Sequence, residues 1–293
     1  MNGHGILGTA LTFPLADRPL SMSSPPKPKS NPQSSYTARS PLRYPGGKTR
    51  AVKQITQYFP KNIDALLSPF FGGGSIELTL AAQGLTVYGY DAFGPLVEFW
   101  QCLSNHPQAL ADKVKQYFPL TKTDFYWLQK NHDCFSSQLE RAAAFYVLNR
   151  SSFSGSTLSG GMSPQHPRFT QSSIDRLRNF HNPNIHIAPL DFQESLKKHP
   201  NLFAYLDPPY RIKSTLYGQK GNTHKNFDHI SLFHILRDRK NWVLSYNDCH
   251  EIRNLYMDFP WRSPEWVYGM SKDKESKEIL IFSHDLQGLA QDS

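Results

Sequence analysis

Asp207, Pro208, Pro209 and Tyr210 follow the apolar run Leu202–Leu206. Two consecutive prolines fix the backbone and remove two N–H groups, so the turn presents only acceptors. A carboxylate and a carbonyl held this way suit a substrate that donates, such as an amino group with two hydrogens, and they leave its lone pair aimed at an electrophile. Tyr210 adds a flat face on which an aromatic base can stack. The same residues also make a rigid surface turn, and alone they do not separate the two readings.

A second cluster, Pro69 to Ser75, places Gly72, Gly73 and Gly74 after an apolar run. Glycines there let the backbone approach a ligand closely, and the helix behind them offers unpaired N–H groups. The dinucleotide pattern fails, because Glu77 stands where its third glycine belongs. About twenty residues on, Asp91 ends the next strand, where a carboxylate can accept from both hydroxyls of a ribose. A P-loop around Gly46, Gly47, Lys48 and Thr49 is excluded, since it requires glycine at the position of Leu42.

The elements that must carry these loops alternate. Ala65–Phe70, Leu85–Tyr90, Asn184–Pro189, Leu202–Leu206 and Trp242–Tyr246 read as strands, and Ile76–Gln83 as a helix. Residues 106–148 show three helical stretches and no strand, Ser151–Pro167 a hairpin or long loop, and Arg262–Tyr268 with Glu278–Phe282 a closing hairpin. Strand–turn–helix units on both sides of a helical insert predict an α/β fold, a doubly wound and mostly parallel sheet closed by an antiparallel hairpin. Ligands of such sheets sit at the carboxyl ends of the strands, which is where all three clusters fall.

Residues 1–40, rich in Ser, Pro, Asn and Lys, are expected to form a disordered tail, and either Met1 or Met22 could be the start. Residues 41–104 with 184–285 are expected to form the catalytic domain and residues 105–183 an inserted one. No run of eighteen apolar residues exists, so no membrane span is expected. Three scattered cysteines predict reduced thiols in a cytoplasmic protein, and neither they nor the twelve histidines form a metal-ligand set. Residues 101–190 carry nine basic and five acidic side chains, whereas residues 191–293 carry fourteen of each. That imbalance suits a middle segment that meets a polyanion, although an ordinary solvated surface would look the same.

Taken in order over residues 41–285, these clusters resemble the Dam-like N6-adenine DNA methyltransferases. Pro45–Lys48 resembles that family's leading motif, Pro69–Ser75 its cofactor loop, Asp91 its ribose acid and Asp207–Tyr210 its catalytic motif. Ser245–Asp248 and Lys277–Ile281 fit later strands of the same fold. The resemblance implies a Rossmann-like enzyme that moves a methyl group from S-adenosylmethionine to N6 of an adenine flipped out of double-stranded DNA, without a metal. It implies that Tyr44 and Lys48 hold the donor's methionine end and that Phe70 and Phe71 line the pocket. Gly72, Gly74 and Ser75 would leave room for the donor, and Asp191 and Phe192 would hold its adenine. Asp207, Pro208, Pro209 and Tyr210 would hold the target base, with Phe227 as a further pocket wall or a core residue. The insert would be the target reader, with Arg43, Arg150 and Arg168 on the DNA and Arg176 and Arg178 on a solvated helix. Ser68 departs from the family by replacing an acidic residue, and Tyr44 with Pro45 replaces a commoner Trp-Ala pair. A single cytoplasmic copy is expected, acting either alone or beside a restriction endonuclease of the same specificity. An N4-cytosine or RNA methyltransferase and an inactive DNA-binding regulator are the alternatives; Asp at position 207 favours adenine, and the intact Lys48, Asp91 and Tyr210 favour activity.

Overall fold

Three strands of this protein are buried from end to end and a fourth in all but its last residue, and these four form the middle of its sheet. In the computed structural model, which describes residues 36–163, 168–210, 227–264 and 278–291, every residue of β1 (Ala65–Ser68) and β4 (Phe203–Leu206) is buried. The same holds for β7 (Glu278–Phe282) and for all but the last residue of β5 (Trp242–Asn247). Strands covered on both faces read as apolar runs without polar alternation. β2 (Thr86–Asp91) and the half-exposed β3 (Ile185–Pro189) complete one side, and the two-residue β6 (Trp261–Arg262) closes the other. The order is β3-β2-β1-β4-β5-β7-β6. β3 to β5 run parallel, and β7 pairs antiparallel with both β5 and β6.

Successive side chains of a strand point to opposite faces, and the core divides accordingly. Leu66, Phe203, Tyr205, Val243, Leu280 and Phe282 face one buried cluster, whereas Leu67, Ala204, Leu206, Leu244, Ile279 and Ile281 face the other. The first cluster takes in α2 (Ser75–Ala82), α3 (Gly94–Asn105), α4 (Pro107–Lys115), α5 (Lys122–Asn131), α6 (Gln138–Ser151) and α7 (Gln171–Arg178), with the short α1 (Val52–Thr56) beside them. The second is covered by α8 (Phe192–Lys198), α9 (His229–Asp238) and α10 (His250–Leu255); α11 (Gln287–Gln291) follows β7.

The helices expected between residues 106 and 148 are present as α4 to α6. Their buried residues belong to the same cluster as the sheet, so among the described residues 105–183 carries no core of its own. The chain divides into Met1–Gln33 and Ser34–Ser293, and everything described lies in the second unit. Most of the expected tail, 1–40, is outside the described residues; its end is placed, with Thr37 N donating to His181 O at 2.7 Å. The first strand stops at Ser68, two residues before its expected end, because the chain then turns into the glycine loop. The expected strand 262–268 begins as β6, and its residues from 265 onward are outside the description. Among the described residues no helix is long and apolar enough to cross a membrane.

Candidate active site

The carboxyl ends of the parallel strands and the amino end of antiparallel β7 meet along one edge. Lys48, from the loop before α1, reaches this edge and is 3% exposed. Its Nζ donates to both Asp207 oxygens at 2.8 and 2.7 Å, to the Tyr210 hydroxyl at 2.7 Å and to Gly46 O at 3.2 Å. Glu278 Oε1 lies 3.3 Å from the same ammonium and accepts from the Tyr210 hydroxyl. Burial works against the charge of Lys48, but Asp207 and Glu278 outweigh it and hold the ammonium protonated above its ordinary range. Burial and then Asp207 raise the Tyr210 hydroxyl well above its usual value, so it is a neutral donor. Asp207 keeps 24% of its side chain exposed, against 3% for Lys48 and 1% for Glu278. Pro208 is buried, and the Tyr210 ring stacks on Tyr246 at 5.9 Å, leaving the turn tethered at both ends.

The glycine turn is built against Tyr44. Gly72 and Gly74 have φ of 48° and 65°, the left-handed region that side chains avoid. A Cβ on Gly73 would stand 2.7 Å from the Tyr44 Cβ, and one on Gly72 3.0 Å from its ring. Asp91 holds the turn from the other side, Oδ2 accepting from Gly72 N at 3.0 Å and Oδ1 from Phe93 N at 2.9 Å. Burial raises this carboxyl above its ordinary range even though both bonds favour the ion. The loop carrying Tyr44 and Lys48 therefore ties the glycine turn to Asp207, and Thr49 Oγ1 meets Ser75 Oγ at 2.9 Å.

Phe70 and Phe192 stack at 5.7 Å, and the Phe227 ring packs on both at 5.5 and 5.2 Å, forming an aromatic wall near Asp191. Asp191 is exposed and caps α8 through Glu194 N at 3.0 Å. Phe71 does not join this wall as expected. It is 2% exposed and turned into the core against Trp100 at 5.2 Å, because neighbours in extended chain point to opposite sides.

Arg43, Arg150 and Arg168 lie close enough for their charges to interact, and burial followed by this repulsion lowers Arg43. Arg150 donates to Arg168 O at 2.9 Å and Pro41 O at 3.3 Å, which fixes the cluster's geometry. Arg178 instead pairs with Asp112 at 2.6 Å on α4.

Five further residues around the site are not singled out by the sequence as catalytic, donor-binding or DNA-binding. Asn149 Oδ1 accepts from Arg43 N and its Nδ2 donates to Arg43 O, both at 2.8 Å. Ser68 Oγ donates to the buried Glu77 at 2.7 Å, so a carboxylate from the first turn of α2 stands beside the position where the acid is missing. Burial first, with Asp207 adding, raises Glu77 to about 7. Phe153, 64% exposed, sits beside Ser154 at φ 53° next to the arginine cluster. Glu278 was legible as an acid opening an apolar strand, a position that demands a buried partner.

A family model described as D12 class N6 adenine-specific DNA methyltransferase matches residues 44–270. The chain is 24% identical over 229 residues to the type II methyltransferase M.CviBI of Paramecium bursaria Chlorella virus NC1A, covering 73% of this chain and 85% of that protein. It is 24% identical over 311 residues to modification methylase StsI of Streptococcus sanguinis, covering 88% of this chain and 45% of that one. A 123-residue stretch, 41% of this chain and 16% of the relative, is 31% identical to the DNA N-6-adenine-methyltransferase of Escherichia phage P1.

Proposed function

The chain belongs to the D12 class of N6 adenine-specific DNA methyltransferases, and on that premise we propose that Asp207 and the proline turn hold the adenine amino group. The observation that carries this reading is the tether of Lys48 and Tyr44, which brings Asp207 to the glycine turn. S-adenosylmethionine is the donor the family implies, and the residues fit it. A Cβ would clash at the glycine turn, Asp91 offers a fixed carboxylate, and Phe70, Phe192 and Phe227 offer an apolar aromatic wall. Bound there, the donor supplies a methyl group already activated by a positively charged sulfur.

The chain's own residues supply position and charge. Asp91 fixes the glycine turn for a ribose, and Phe70 and Phe192 flank the purine, with Asp191 at its edge. Tyr44 covers the turn. Extracting the adenine from its duplex costs a few kcal/mol, which the pocket must return by binding. Asp207 and the Pro208 carbonyl then accept from the amino hydrogens and hold N6 in line with the methyl group, and alignment of this kind is a large share of such catalysis. Asp207 accepts the proton that the nitrogen must lose and passes it to water. Lys48 acts on Asp207 and Tyr210 in this account, and the methionine carboxylate is left to the N–H groups of the turn.

Residues 41–104 and 184–285 make up the catalytic part of this reading, and 105–183 the target reader. Arg43, Arg150 and Arg168 meet the DNA backbone, and Phe153 stacks where the extruded base leaves a gap. The names of M.CviBI and StsI support a modification role beside a restriction endonuclease of the same specificity. The chain then acts as one copy in the cytoplasm. Incubation with DNA and methyl-labelled S-adenosylmethionine, followed by digestion to nucleosides, is expected to place label on N6-methyldeoxyadenosine. Label on cytosine or RNA, or donor binding with no transfer, would overturn the assignment.

A further inference from the structure

We propose that Glu278 is a positioning residue of methyl transfer, sharing the Lys48 ammonium with Asp207 and anchoring the Tyr210 hydroxyl so that the group stays net negative toward the adenine amine. The inference rests on the reading of Asp207 given above.

Glu278 opens β7, and because β7 runs antiparallel its first residue stands at the edge where the parallel strands end, opposite Asn247. Its side chain is 1% exposed. Oε1 accepts from the Tyr210 hydroxyl and lies 3.3 Å from Lys48 Nζ, while Oε2 accepts from Ser245 Oγ at 3.3 Å. A carboxylate buried ahead of Ile279–Phe282 is costly unless paired, and its partners are the two side chains that also hold Asp207 and its turn.

Counting charge explains what the pairing does. With Glu278 ionised, Asp207, Lys48 and Glu278 sum to one negative charge; with Glu278 neutral they sum to zero. During transfer the bond from N6 to the methyl carbon forms as the bond from sulfur breaks, and that electron pair stays on sulfur. Positive charge thus passes to N6 and leaves as a proton to Asp207. A net negative group fixed beside the nitrogen favours that movement most where water is excluded.

The groups facing Glu278 are Lys48, Asp207, Tyr210 and Ser245, with Glu77 and Tyr205 sensing the same charges. Burial, opposed by Lys48 and reinforced by Asp207, raises Glu278 to about 7. The neutral form therefore dominates below that pH, and the active form above it.

Single-turnover methylation by the intact chain at saturating donor, followed across neutral pH, tests the proposal. The wild-type rate constant is expected to rise through about 7 to a plateau. Glu278→Gln is expected to lower the plateau about tenfold and to abolish the rise, with donor affinity within about threefold. Glu278→Asp should restore part of the rise. Ser245→Ala, which keeps the charge but removes a donor to it, should move the rise to higher pH. A wild-type plateau in Glu278→Gln would overturn the proposal. So would a uniform loss with the rise intact, an unmoved rise in Ser245→Ala, or disappearance of the rise in Glu77→Gln instead. Transfer surviving Asp207→Asn would overturn the reading of Asp207 itself, whatever the Glu278 variants do.

Discussion

Asn149 on α6 grips the main chain of Arg43 at both its N–H and its C=O, each at 2.8 Å, across 106 residues of sequence. The helix nearest the arginine cluster is thereby joined to the loop that carries Tyr44 and Lys48. A Cβ on Gly155 would stand 2.6 Å from Arg43 O, so the segment after α6 is pressed against the same loop. Asn149→Ala leaves two partly buried backbone groups without their side-chain partner and is expected to cost about 1–3 kcal/mol of stability. Denaturant unfolding measures it, and donor affinity should fall together with stability because the loop loses its anchor.

Asp207→Ala is expected to abolish methyl transfer while the fold persists, since Lys48 retains Glu278 and Tyr210 as partners. Circular dichroism and a labelled-methyl assay measure the two halves. Turnover near the wild-type rate would remove Asp207 from the chemistry.

Gly74→Ala places a Cβ 2.6 Å from the Phe71 ring at a backbone φ of 65°. The strain and the clash together are expected to cost about 1–3 kcal/mol and to weaken donor binding. Calorimetric titration with S-adenosylmethionine reads the effect on the ligand. Unaltered affinity would mean that the turn does not contact the donor.

The arginine cluster predicts salt-dependent DNA binding. Arg150→Ala should weaken binding to all sequences and reduce the slope of log K against log salt by about one. Phe153→Ala, by contrast, should leave that slope unchanged and lower the yield of extruded base, read by a fluorescent base analogue at the target. A slope that changes with Phe153 rather than Arg150 would reverse the two assignments.

Glu77 predicts a stability profile. Its carboxyl is raised from 4.5 to about 7, chiefly by burial, so the folded chain binds the proton more tightly than the unfolded one. Its contribution is therefore complete below about 4.5 and is lost as pH rises to about 7, at no more than about 1.4 kcal/mol per unit. Melting temperature should fall over that window, and more gently in Glu77→Gln. Parallel curves would show that Glu77 does not titrate there.

What the amino-acid sequence by itself determined was local. Alternation along Phe203–Leu206 and Ile279–Phe282 divides side chains between two faces at every second residue. Glycine at Gly72 and Gly74, and proline at Pro208 and Pro209, set turns through the φ angles they allow or forbid. Those rules act within a few residues, so the strands, the glycine turn and the proline turn were legible. Which residues meet was decided by tertiary structure, because β1 pairs with both β2 and β4, and antiparallel β7 slides its first residue to the edge where the others end. Lys48 and Asp207 are 159 residues apart, and Tyr210 and Glu278 68. No periodicity reaches over such distances. Burial of a charge requires a partner, but only the packed sheet chooses which one.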